Sequence, residues 1–518
     1  MRIDPRMLLV ALTAWVSVPV LSPLWAQEAP LSAIDWLSQS VMTPPAALPE
    51  PVEPAVTDGS ALPADVSVSV LGGLSPDGVG LLPAQVTGLP RNLWGLGRSA
   101  DITVALFAHD LQGLPALQGL LITLLLAEAE PPSDAGVPGQ LLVARLDRLL
   151  AIGALDQAQA LLDAAGPATS ADLFRRSFDV DLLTGAEDRG CAAMQASPGL
   201  APTFPARIFC IARTGDWAAA ALTLRTAQAL GQITPAEDAL LSRFLDPDLY
   251  EDEPMPAPQK PITPLAWRMF EAVGEPLPTG GLPLAFAHAE LRDTAGWKAQ
   301  IEAAERLARA GAIPPNLLLG LYTERMPAAS GGVWDRADAF QGFDQALARR
   351  DPAAVAQALP PVWAQMQAME LEVPFAALYA ERLAALPLTD AAARLGFEIG
   401  LLSPDYQRIA TAPVADDARA RFLIGIATGK LTGLVPPDSM GRVIAPAFLD
   451  APVPPEAQKM LDEARVGEAI LWGMGRIATG VQGDLRGVTD GLTLLRAAGL
   501  EDVARRTALE LMLLERRG

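Results

Sequence analysis

Histidine and cysteine are nearly absent from this chain, with two of each in 518 residues, and aromatics are only 5%. Protein sites for zinc and other transition metals draw on clustered His and Cys, so no metal centre or metal cofactor is expected. His109 and His288 follow apolar runs (Leu106-Phe107-Ala108 and Ala285-Phe286-Ala287), the context of packed core histidines. There is no HExxH pair, phosphate loop, nucleophile elbow or dinucleotide glycine fingerprint. A catalytic residue set is therefore not expected, nor is a bound organic cofactor. Positive charge is also short. The 39 Lys and Arg face 60 Asp and Glu, a net charge of −21. Such a surface repels nucleic-acid backbones and anionic lipid. Long apolar runs are missing beyond the N-terminus. Leu117 to Ala127 is the most apolar stretch, but it is too short for a span and leads into Glu128 and Glu130.

Alanine and leucine are abundant instead. Half of the residues are apolar and 19% charged, which excludes global disorder. Small and unbranched aliphatics favour close helix packing, so the fold class read from composition is all-α. The 47 prolines then belong at helix starts and in linkers.

Residues 1–26 read as a secretory signal. Arg2 and Arg6 precede the apolar core Met7 to Val16, and Ala26 offers a small residue at the cut. The alternative is an uncut N-terminal anchor, although Pro19 interrupts that stretch. With the signal removed, no stable membrane insertion is expected, and the compartment is the periplasm. Export gives Cys191 and Cys210 a meaning: an oxidising compartment favours a disulfide between them over two buried thiols. Residues 27–97 read as a Pro/Ala-rich, mostly irregular arm. It carries one short strand signal, the alternating Asp65-Val66-Ser67-Val68-Ser69-Val70-Leu71.

A repeat emerges over residues 141–231. Gly153, Gly185 and Gly215 stand 32 and 30 residues apart, each between two helical patterns. Eleven residues before them come Leu142, Phe174 and Phe204, and seven before come Leu146, Phe178 and Ile208. Five residues after stand Ala158, Gly190 and Ala220, where two helices can approach closely. Asp181 is the one charged residue on the apolar stripe. A hairpin of this kind cannot bury both faces alone and must stack on neighbours.

The run Gly215-Asp216-Trp217-Ala218-Ala219-Ala220 resembles the inter-helix turn of tetratricopeptide repeats. Leu142, Phe174 and Phe204 match that family's early bulky position, Ala165 and Ala227 its late alanine, and Pro202 its closing proline. The family's small helix-A residue is replaced by Leu146, Phe178 and Ile208, so the resemblance is to a degenerate member. It extends weakly to residues 494–514, where Gly499 and Ala504 restore the five-residue offset. The resemblance implies an α-solenoid of stacked hairpins with a concave binding face built from the first helix of each pair. That face would carry Asp147, Arg175, Asp179, Phe209 and Arg213.

Residues 98–245 thus form a repeat domain. The run from Asp246 to Ile262, rich in Pro, Asp and Glu, reads as an acidic linker, and residues 263–518 read as a second helical domain. Helices are expected at 264–273, 283–293, 295–311, 314–324, 334–349, 352–369, 373–386 and 389–402, with an irregular stretch at 434–455. The loop from Tyr322 to Trp334 has an unusual composition. It is a candidate binding loop with Glu324, Arg325 and Trp334 at its rim, or else a plain inter-helix connection. The functional expectation is a periplasmic scaffold or adaptor that holds a protein or peptide partner. One alternative is a peptidoglycan-associated enzyme or accessory. It is similar only to the superhelical arm of lytic transglycosylases, since no matching Glu-Ser motif is present. Another is an assembly factor for an envelope secretion or motility machine.

Overall fold

The computed structural model describes residues 75–134, 137–250, 252–412 and 417–514. The secretory signal, the strand signal at 65–71 and the arm up to residue 74 lie outside the described residues. Every named element among the described residues is helical, and one isolated bridge joins Leu82 to Ala127.

Helices α1 (Ser99–Phe107) and α2 (Pro115–Leu126) lead into the glycine block. There α3 (Gln140–Ala151) and α4 (Leu155–Ala165) flank Gly153. Next α5 (Ala171–Thr184) and α6 (Glu187–Ala196) flank Gly185, and α7 (Phe204–Arg213) and α8 (Trp217–Ala229) flank Gly215. All three glycines adopt positive φ, at 77°, 83° and 90°. The small positions after the turns are close approaches. Ala158 and Ala220 are fully buried, and a Cβ on Gly190 would lie 2.6 Å from the Phe178 ring. Buried Asp181 is met by Arg189 of the next helix, which explains a charge on the apolar stripe. Cys191 on α6 and Cys210 on α7 form a disulfide across 5.1 Å between their Cα atoms.

Helix α9 (Pro235–Leu245) opens on the reciprocal Thr234–Glu237 capping box. The second half begins with α10 (Pro264–Ala272), then a 3-10 helix over Leu284–Leu291, then α11 (Trp297–Arg309) and α12 (Pro315–Thr323). Helices α13 (Val333–Ala348), α14 (Pro352–Ala368), α15 (Glu372–Ala384) and α16 (Asp390–Leu401) follow, close to the expected bounds. The chain continues through α17 (Tyr406–Ala410), α18 (Ala418–Thr428) and α19 (Ser439–Phe448). It ends with α20 (Pro455–Asp462), α21 (Val466–Val481), α22 (Leu485–Ala497) and α23 (Glu501–Leu513).

Two local readings change. The stretch expected to be irregular contains α19, because the Asp438 side chain accepts from the Gly441 N–H and caps it. The 283–293 segment is a 3-10 rather than an α-helix. A break separates α20 from α21 where Ala464 takes a φ of 54°.

Among the described residues most consecutive helices pack as neighbours, so the paired-helix architecture is present. The ends of the described chain also touch. Helix α1 packs on α21, and α2 packs on α23. The 3-10 segment lies against α3 and α5. His288 there sits 2.6 Å from the Gly153 carbonyl oxygen, and burial pulls its imidazole below the ordinary range. Helix α10 packs on α5 and α9, and its Arg268 reaches the buried Glu187 carboxylate at 2.8 Å. Apolar side chains from Leu89 to Leu514 therefore belong to one main core, shared across the 246–262 stretch.

Residues 75–97, within the stretch assigned to the loose arm, are packed. The buried Asp77 carboxylate accepts from the Gly139 and Leu142 N–H groups at the start of α3. Fully buried Arg145 donates to the carbonyls of Val79, Leu125 and Ala127, binding the segment to α2 and α3. Trp94 is buried against Gly467, whose N–H donates to the Leu93 carbonyl.

Candidate functional site

The structure brings two of the sequence candidates, Arg175 and Asp179, into one cavity of about 100 Å³. They stand four residues apart on α5, one turn of helix, and so share a face. The walls are apolar: Pro205 at the start of α7, Leu240 on α9, and Leu265, Met269 and Phe270 on α10. Pro256, Ala257 and Gln259, from the acidic Pro-rich stretch, supply another wall.

Local sequence builds the walls. Thr203 caps α7 by accepting from the Ala206 N–H, and Thr263 caps α10 by accepting from the Ala266 N–H. Proline occupies the first turn of both helices and of α9, where its missing donor costs nothing. The first turns of three helices therefore line the cavity, and the positive ends of their dipoles lie around it.

Asp179 is the electrostatic outlier. It is only 7% exposed, and its Oδ2 has no hydrogen-bond partner. Burial pushes its carboxyl up to about 7, against the pull of the Arg175 and Arg176 guanidiniums, with Asp147 adding a push in the same direction as burial. Arg175 is lowered by burial, and its Nη2 donates to the Pro202 carbonyl at 3.4 Å. The Thr203 and Thr263 hydroxyls serve as caps. The cavity thus offers one carboxyl that titrates near neutrality within apolar walls, suited to holding a side chain with one hydrogen-bonding end.

No family model, curated protein or solved structure matches this chain.

The other candidates lie elsewhere. Asp147 forms a two-pronged ion pair with the buried Arg176, at 2.8 Å from Nη2 to Oδ2. Phe209 is core, stacked on Phe244 at 5.4 Å. Arg213 lies over the Phe209 ring and bridges to Glu187 and Asp188, so it clamps α6 to α7. Glu324 and Arg325 pair with each other at the surface. Trp334 packs on Trp297 at 5.2 Å between ring centres. None of these six lines the cavity. The sequence reading missed the cavity's second side, because the 246–262 stretch looks like a spacer and α10 like the start of a separate body.

Among the described residues, no group of three or more acids, histidines or cysteines is arranged to hold a metal. No described helix is long and apolar enough to cross a membrane.

Proposed function

We propose that the chain is a non-catalytic helical scaffold, of degenerate tetratricopeptide character, that holds a protein or peptide partner in the cell envelope. The observation that supports this reading is the α5–α7–α9–α10 cavity. Its largely apolar walls, with the Asp179 carboxyl buried among them, suit one inserted side chain better than a cofactor, given a volume of about 100 Å³. Close by on α8, Trp217 is 49% exposed and stacks at a tilt on Phe244, extending an apolar rim beside the glycine block. Aromatic anchors of this kind carry much of the binding energy at protein interfaces.

The test is capture from an envelope extract by the tagged protein and by Ala257→Trp, which fills the cavity mouth from an exposed position. A defined protein retained by the parent and lost by the variant supports the reading. Equal recovery by both, or no recovery by either, removes it. Co-sedimentation with purified cell wall distinguishes a peptidoglycan ligand, which would pellet the chain without any protein partner.

A further inference from the structure

A second, larger cavity of about 480 Å³ lies between the first helices and the second half, among α2, α3, the 3-10 segment and α11. Three arginines line it: Arg148 from α3, and Arg306 and Arg309 from α11. Asp110 is the one acid among its described lining residues. This inverts the balance of a chain whose net charge is −21.

Several other arginines that bind this fold together are matched to carboxylates, although buried Arg145 is held by carbonyl oxygens alone. Arg176 pairs with Asp147, Arg336 with Glu305, Arg268 with Glu187, and Arg292 with Glu271. The cavity arginines make their close hydrogen bonds to neutral oxygens. Arg148 Nη2 donates to the His109 carbonyl at 3.1 Å. Arg306 donates to the Thr279 hydroxyl and carbonyl at 3.0 and 3.1 Å. Arg309 Nε donates to the Met369 carbonyl at 3.0 Å, and its contact with Glu370 is longer, at 3.8 Å. Arg148 Nε is buried with no hydrogen-bond partner, as is the Oε1 of Gln118 in the same lining. Burial lowers Arg148 and Arg306 from the ordinary guanidinium range, with Asp110 and Glu290 opposing it respectively. Desolvated cations without a close carboxylate gain most from an anion brought to them.

We propose that this cavity is a binding site for a small multivalent oxyanion, held by Arg148, Arg306 and Arg309 through its carboxylate or phosphate oxygens. Guanidinium forks match both groups in a planar, two-pronged geometry. The site is independent of the partner cavity at Asp179, which no residue of this lining shares.

Calorimetric titration of the intact protein with inorganic phosphate, and separately with citrate, tests the proposal in low-salt, anion-free buffer. Saturable one-to-one binding of at least one probe is expected, and the stronger probe reports whether phosphate or carboxylate chemistry is preferred. The double variant Arg306→Gln, Arg309→Gln should weaken it by about tenfold or more. Arg394→Gln, an exposed arginine outside the lining, should leave it unchanged. Asp110→Asn should tighten it, and this arm decides the matter if the double variant loses its helical signal. No binding of either probe overturns the proposal, as does equal weakening by Arg394→Gln or no response to Asp110→Asn.

Discussion

The Glu510 carboxylate accepts a hydrogen bond from the backbone N–H of Ala116, 2.9 Å away and 394 residues earlier. Ala116 is in the first turn of α2, where Leu114 provides no side-chain cap. An acid from the last helix therefore caps one of the first. Removing it leaves a buried N–H unsatisfied and takes a negative charge from a helix N-terminus. Glu510→Ala should lower stability by about 1–3 kcal/mol, read from urea or thermal unfolding. A change within error would show that this contact contributes nothing.

Asp179 links stability to pH. The folded carboxyl keeps its proton up to about 7, whereas the unfolded value is near 3.8. Between these values the native chain binds the extra proton, so stability falls as pH rises and the contribution is gone above about 7. The loss is on the order of 4 kcal/mol. Asp179→Asn should flatten the profile and be more stable than the parent at about pH 8. Parallel profiles for the two proteins would show that this carboxyl does not titrate as described.

The glycine turns separate two costs. Gly153 has positive φ, and an added Cβ would meet Leu284 at 2.9 Å, whereas Gly215 has positive φ with open space around it. Gly215→Ala should cost about 1–2 kcal/mol for the backbone alone. Gly153→Ala should cost more, because the 3-10 segment must also move. Equal melting temperatures for the two variants would remove the packing term.

For the disulfide, peptide mapping without reduction should find Cys191 joined to Cys210 and no free thiol after denaturation. With 19 residues of separation, replacing both cysteines by serine should cost about 3 kcal/mol on a loop-entropy estimate. A full thiol titre on the denatured protein would reject the bond.

Local features were legible in the sequence where a residue type has one strong conformational reason. Glycine at positive φ, proline in a first turn and threonine as a cap located most helices to within a few residues. The disulfide was legible because only two cysteines exist. One side of the Asp179 cavity was legible too, since Arg175 and Asp179 fall on the helix that the repeat alignment singles out. Long-range pairing was not. Nothing near Glu510 in the chain announces Ala116, and nothing in Arg148 announces Arg306. Residues 75–97 look like linker because they contain almost no helix, yet buried Arg145 and Trp94 tie them down. Helix α19 escaped notice because Gly441 and Pro446 within it argue against helix, while its cap and packing outweigh them.

The meeting of α1 and α2 with α21 and α23 sets an order of events during synthesis. A nascent chain offers α2 long before α23 exists. Until α23 has been synthesised, the side of α2 that packs on it and the N–H of Ala116 have no destination. Linear helical arrays can fold from one end as they emerge. Here α2 must wait for α23, nearly 400 residues later, before it is secure. A holding chaperone that covers the α1–α2 surface in the interval is the natural complement to such a design.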